Sequence, residues 1–81
     1  MSFGNYLIKL RNTESLRETA KAIGISHTYL YSLEQGYDSR NGNKRTPSVL
    51  TIYKIASYYN VSPYTLFDLS VGELKEQEVT T

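Results

Sequence analysis

The sequence predicts an all-α domain built from five short helices. Three observations predict it. Apolar residues recur three and four positions apart in five separate stretches. Four of those stretches open on Ser or Thr, two of them followed by Pro, the residue types favoured where a helix starts. No stretch keeps the two-residue alternation of a half-buried strand.

The first helix is expected over residues 3–12, where Phe3, Leu7 and Leu10 share a face with Tyr6 alongside. Ser15 with Glu18 three residues on is a capping-box pattern. It opens a second helix, 15–23, that carries Leu16, Thr19, Ala20 and Ile23 and ends at Gly24. A left-handed helix end favours Gly, because a Cβ there costs roughly 1 kcal/mol. Ser26 caps a third helix marked by Tyr29, Leu30 and Leu33, which stops near Gly36. With only about three residues between them, the second and third helices must cross steeply.

Residues 36–45 (GYDSRNGNKR) hold turn formers and, apart from Tyr37, no apolar side chain, so they read as a surface loop. Thr46 and Pro47 then supply a cap and a first helical residue for a fourth helix, 47–59. Its wide stripe of Val49, Leu50, Ile52, Tyr53, Ile55 and Ala56 marks it as the best-buried of the five. Ser62 and Pro63 repeat the start signal, and Leu66, Phe67 and Leu69 make a short fifth helix. From Gly72 the chain turns polar and acidic. The expected division is a domain over 1–70, with its helix pair at about 15–36, and a flexible acidic tail over 71–81.

Composition narrows the function classes. The 81 residues suffice for one domain with a modest core, and 40% are hydrophobic. With no Cys and one His, disulfides and Cys or His metal sites are excluded, and no metal or cofactor is expected. No apolar run approaches the roughly 20 residues of a membrane span, and the first residues lack a signal-peptide pattern. A soluble protein of the cytoplasm is the expectation. The formal charge of +1 averages two unlike parts. Residues 1–67 carry eight Lys and Arg against four Asp and Glu, whereas residues 68–81 carry Lys75 against Asp68, Glu73, Glu76 and Glu78. The basic excess therefore accompanies the helices and their loop, as a nucleic-acid surface requires.

At this point the residues become recognisable. AKAIGISHTYLYSLEQG (20–36) resembles the helix-turn-helix core of the Cro/repressor-type, or xenobiotic-response-element, family. TPSVLTIYKIASYYNVSPYTLF (46–67) resembles the two helices that follow it there. The resemblance covers about residues 3–69. Its strongest marks are Ala20, Gly24, Ser26, Leu30, Glu34, Gly36, Pro47-Ser48, Ile55-Ala56, Val61-Ser62 and Leu66-Phe67. It implies a five-helix lambda-repressor-like fold and binding of double-stranded DNA. Three features depart from the family pattern. Leu16 stands where a polar residue often touches phosphate, with Arg17 or Ser15 as substitutes. The turn between helices one and two is about two residues short and lacks the usual Gly. The loop after Gly36 is about seven residues longer than usual, through Tyr37–Asn43.

By this resemblance the third helix enters the major groove, with His27, Thr28, Tyr31 and Ser32 facing the bases. His27 can donate or accept, and Thr28 offers a hydroxyl or a methyl to thymine. Tyr29 is left open, since it can also pack inward. Arg40, Lys44 and Arg45 in the loop, with Arg17 and Lys21 on the second helix, are candidates for phosphate contact. The duller readings are a solvated helix start for His27, an exposed surface aromatic for Tyr31, and loop cations that only aid solubility.

Arg11 and Glu34 are assigned to structure, as the ion pair by which this family anchors the recognition helix; the short turn leaves Lys9 as an alternative partner. Among the eight Tyr, Tyr6, Tyr53 and Tyr58 are expected in the core or at groove edges. Tyr59 and Tyr64 flank the fifth helix, where family members often dimerise. The resemblance thus implies a transcriptional regulator, most naturally a repressor acting as a homodimer on a DNA operator with two half-sites. No catalysis is implied, because no nucleophile–base pair stands out around the lone His and no phosphate-cradling Gly loop is present. The competing reading is a protein-interaction module, an antitoxin or anti-repressor, that holds a regulatory protein partner.

Overall fold

A computed structural model describes residues 2–36 and 47–79, with side chains as far as Gly72. The elements are α1 (Phe3–Arg11), α2 (Leu16–Ile23), α3 (His27–Gln35), α4 (Val49–Tyr59) and α5 (Pro63–Val79). All the described regular structure is helical, as the spacing predicts.

Serine starts the first four helices. Ser2, Ser15, Ser26 and Ser48 each accept, through the side-chain oxygen, the backbone N–H of the residue three positions on. Each such cap satisfies one otherwise unpaired donor and contributes about 1 kcal/mol. The start of α4 differs from the expected Thr46–Pro47. Ser48 is the cap, bonded to the Thr51 N–H at 3.1 Å, and Pro47 precedes it. A Ser at this place offers the better acceptor, so helical geometry begins at Val49.

The helix ends follow a common design. Gly24 (φ 95°) and Asn60 (φ 55°) take left-handed conformations. Beyond them the N–H groups of Ile25 and Val61 reach back 3.0 Å to the carbonyls of Ala20 and Ala56, closing Schellman-type ends. Between α1 and α2 the missing Gly has a visible consequence. The Glu14 N–H donates to the Arg11 carbonyl at 3.0 Å, and Asn12 in that turn holds φ 54° and ψ −116°. Those angles belong to the first central residue of a type II′ turn, a position that favours Gly.

The core gathers Phe3 and Leu7 from α1, Ile23 from α2, Leu33 from α3, Ile52, Ile55 and Ala56 from α4, and Leu66 from α5. Tyr6, Ile25, Tyr29, Tyr59, Val61 and Leu69 pack around it, partly buried. Helix α3 packs on α1 and α2, while α5 closes over α4 and α1. One approach is closer than any side chain would permit. A Cβ on Gly4 would overlap the Glu34 carbonyl oxygen and stand 2.8 Å from its carbon, so α1 and the end of α3 meet backbone to backbone.

Two further expectations are corrected. Helix α4 is not buried across its whole apolar stripe: Val49, Leu50 and Tyr53 are 74%, 61% and 64% exposed. Its inner face consists of Thr51, Ile52, Ile55 and Ala56; a helix against one core can hide only about half its circumference. Helix α5 is not short, but continues to Val79 through the segment expected as a tail. The residues after Gly72 (ELKEQE) are strong helix formers, and a single Gly costs only about 1 kcal/mol.

Candidate nucleic-acid interface

The site is built on α2, the turn Gly24-Ile25-Ser26, and α3. Ala20 and Leu30 are each 1% exposed where the two helices pack on one another. Burying these faces leaves the opposite faces to solvent. On α3 these carry His27 and Thr28 in the first turn, both exposed, and Tyr31 one turn later. Positions 27, 28 and 31 lie on one side of a helix, so three chemically different side chains point the same way. On α2, Arg17 and Lys21 are exposed and four residues apart, hence neighbours on one face.

Ser32 does not join them. It is 6% exposed, and its hydroxyl donates to the Tyr29 carbonyl at 2.8 Å. Spacing alone puts position 32 beside Thr28, but Ser is too short to reach outward and bonds back onto its own helix instead. The base-facing assignment of Ser32 is therefore withdrawn. Tyr29, left open by the sequence, packs half-buried against the core and donates its hydroxyl to Thr51 Oγ1 at 3.2 Å. Arg40, Lys44 and Arg45 lie outside the described residues.

Behind the exposed face stands the ion pair. Arg11 Nε meets Glu34 Oε2 at 2.7 Å and Arg11 Nη2 meets Oε1 at 2.9 Å, a two-pronged contact. Arg11 Nη1 also donates to the Glu14 carbonyl at 2.8 Å. The Glu34 side chain is only 2% exposed, so its carboxylate relies on that guanidinium. In turn, hydrogen bonding to Glu34 holds the Arg11 pKa above its already high ordinary value, against the opposing effect of burial. Lys9, the alternative partner, is exposed on α1. The pair and the Gly4 contact clamp the C-terminal end of α3 onto α1.

A second cluster ties α4 to the turn before α2. The Tyr58 hydroxyl donates to Glu14 Oε2 at 2.9 Å, a bond that raises the phenol's pKa. Tyr58 packs edge-on against Tyr59, ring centres 5.0 Å apart. Tyr59 is pushed up to about 12, first by burial and then by the Glu14 and Glu34 carboxylates. Tyr53, expected in the core or at a groove edge, is exposed and lines a shallow groove with Ala22, Ile23, Lys54, Ser57 and Tyr58.

A family model described as Helix-turn-helix, of the Cro/repressor type, matches residues 8–66. The chain belongs to that family. Comparison with curated proteins and with solved structures finds no match. Membership makes this helix-turn-helix chain, in general terms, a DNA-binding transcription regulator. The matched span contains α2, α3 and the segment between α3 and α4, whereas Gly4 and the continuation of α5 to Val79 fall outside it.

Sequence reasoning missed several residues on which this helix-turn-helix depends. Gly4 carried a signal, since Gly inside a helix is unfavourable unless another backbone must come close. Thr51 and Glu14 carried none, because their partners Tyr29 and Tyr58 lie on other helices. Among the described residues no group of acidic or His side chains could hold a metal, and no helix is long and apolar enough to cross a membrane.

Proposed function

We propose that this helix-turn-helix chain is a repressor that binds, as a homodimer, an operator of two half-sites about one helical turn apart. Helix α3 lies in the major groove. His27 and Thr28 face base edges, and Tyr31 covers a sugar or a thymine methyl. Arg17 and Lys21, with Arg40, Lys44 and Arg45 of the loop, neutralise phosphates. The observation that carries this reading is the contrast along α3: an exposed, chemically varied first turn, and a last turn held by a buried ion pair. Tyr64 and Phe67, 78% and 47% exposed on α5, support a self-interface there. The reading involves a cytoplasmic protein, no cofactor and no catalytic step.

The test is binding of the purified chain to the DNA upstream of its own gene, titrated against salt and nonspecific competitor. The expected result is a saturable, competitor-resistant footprint with two half-sites. It is lost in His27→Ala/Thr28→Ala while the circular dichroism stays unchanged. Arg17→Ala and Lys21→Ala are each expected to lower the salt slope by about 0.9 per phosphate contact. No binding at low salt overturns the proposal.

One observation favours a second reading. Val49, Leu50 and Tyr53 form an exposed apolar face on α4 that DNA does not need. Such a patch suits a protein partner, as an antitoxin or anti-repressor requires. Loss of binding to a purified partner on Leu50→Lys, with DNA binding absent throughout, would establish it.

A further inference from the structure

Helix α3 is gripped differently at its two ends. Its C-terminal end is clamped by the Arg11–Glu34 pair and the backbone contact at Gly4. Its N-terminal turn, which carries His27 and Thr28, starts at the Ser26 cap, whose oxygen accepts the Tyr29 N–H at 3.1 Å. The same Tyr29 reaches away from α3 altogether. Its hydroxyl donates to Thr51 Oγ1 at 3.2 Å, Thr51 Oγ1 lies 2.9 Å from Ser48 Oγ, and Ser48 Oγ accepts the Thr51 N–H at 3.1 Å. Thr51 is buried. A proton order from Tyr29 to Thr51 and from Thr51 to Ser48 satisfies every contact in the chain, and each bond polarises the next.

We propose that Tyr29 is a positioning residue for DNA recognition, whose hydroxyl holds the base-facing turn of α3 in register with the start of α4. The proposal rests on the DNA-binding reading above. Geometry makes the tie consequential. A nine-residue helix is about 13 Å long. A pivot of about 5° at its clamped end therefore moves the other end by about 1 Å, more than a hydrogen bond to a base edge tolerates. The other end of the hydroxyl chain is Ser48, which follows directly on the segment that holds Arg40, Lys44 and Arg45. Phosphate contacts set where a protein sits on the duplex and base contacts read it. The Tyr29–Thr51–Ser48 chain ties the base-facing turn of α3 to the first residues of α4.

The experiment selects bound duplexes from a random 30-base-pair library with the full wild-type chain. It then measures affinity for the best duplex against poly(dI-dC). Tyr29→Phe and Thr51→Val are compared at equal folded fraction, with Ile55→Val as a variant that weakens the core alone. The expected result for Tyr29→Phe is a specific-to-nonspecific ratio about tenfold lower, the weight of roughly one base contact, at an unchanged salt slope. Thr51→Val gives a similar loss, the double variant is no worse than either, and Ile55→Val keeps the wild-type ratio. A wild-type ratio in Tyr29→Phe, or an equal fall in Ile55→Val, overturns the proposal. A wild-type chain that selects no sequence overturns the DNA-binding reading itself, and this inference with it. The wild-type arm therefore distinguishes the two failures.

Discussion

Replacing Arg11 by Met is expected to cost this domain about 3–5 kcal/mol, because it strands a buried carboxylate. Two contacts of 2.7 and 2.9 Å end on the Glu34 side chain, which is 2% exposed. Without the guanidinium that charge keeps no ion-pair partner among the described residues and almost no exposure to solvent. The lost bond from Arg11 to the Glu14 carbonyl adds about 1 kcal/mol. Domains of this size hold roughly 0.05–0.15 kcal/mol per residue, so the single substitution takes away a third of the stability at least. At about 4–8 °C per kcal/mol for such a domain, the midpoint falls by more than 10 °C.

The reverse half of the cycle makes the cause testable. In Arg11→Met/Glu34→Met both charges are gone and apolar atoms fill the space, an exchange that is often near neutral. The double variant is then expected to regain most of what either single variant loses. Urea unfolding followed by circular dichroism gives all four stabilities, provided the slope with denaturant is shared. Single variants within about 1 kcal/mol of wild type, or a double variant equal to the sum of the singles, would refute the reasoning.

Other substitutions test other parts of the fold. Gly4→Ala is expected to cost at least about 2 kcal/mol, since its Cβ meets the Glu34 backbone, whereas Gly72→Ala meets nothing within 4 Å and is expected to gain about 1 kcal/mol as a better helix former. Equal effects at the two positions would discredit the close-approach account. Asn12→Gly is expected to stabilise by about 0.5–1 kcal/mol, because φ 54° with ψ −116° strains any side chain; a lower unfolding midpoint would count against it. Thr19 is 1% exposed, and its hydroxyl is buried without a hydrogen-bond partner among the described residues. Thr19→Val, which keeps the shape, is expected to stabilise by about 1 kcal/mol, and a loss would show that the hydroxyl is satisfied after all. Folding favours the neutral phenol of Tyr59, pushed up to about 12. Its contribution is therefore complete below the unfolded value of 10.0 and declines as pH rises toward 12. Comparing unfolding at pH 9 and pH 11 is expected to show a smaller drop in Tyr59→Phe than in wild type.

Much of this molecule was legible because its signals are local. A Ser cap bonds three residues ahead, and Gly24 closes the end of α2 within its own turn. The number of helices and the turn at the heart of the motif therefore follow from short stretches of chain, whereas His27 and Thr28 were singled out by the family resemblance. The misplaced start of α4 came from two adjacent cap signals, and the underestimated length of α5 from one Gly in good helical sequence. The tertiary structure decided everything that turns on a distant partner. Arg11 and Glu34 are 23 residues apart, Tyr29 and Thr51 are 22, and Glu14 and Tyr58 are 44. Which of Lys9 and Arg11 faces Glu34, whether Tyr29 turns in or out, and how close α1 comes at Gly4 depend on how the helices meet. Ser32 shows the same division within one helix. The resemblance puts it on the base-facing side, but its short side chain is buried and bonds back to the Tyr29 carbonyl.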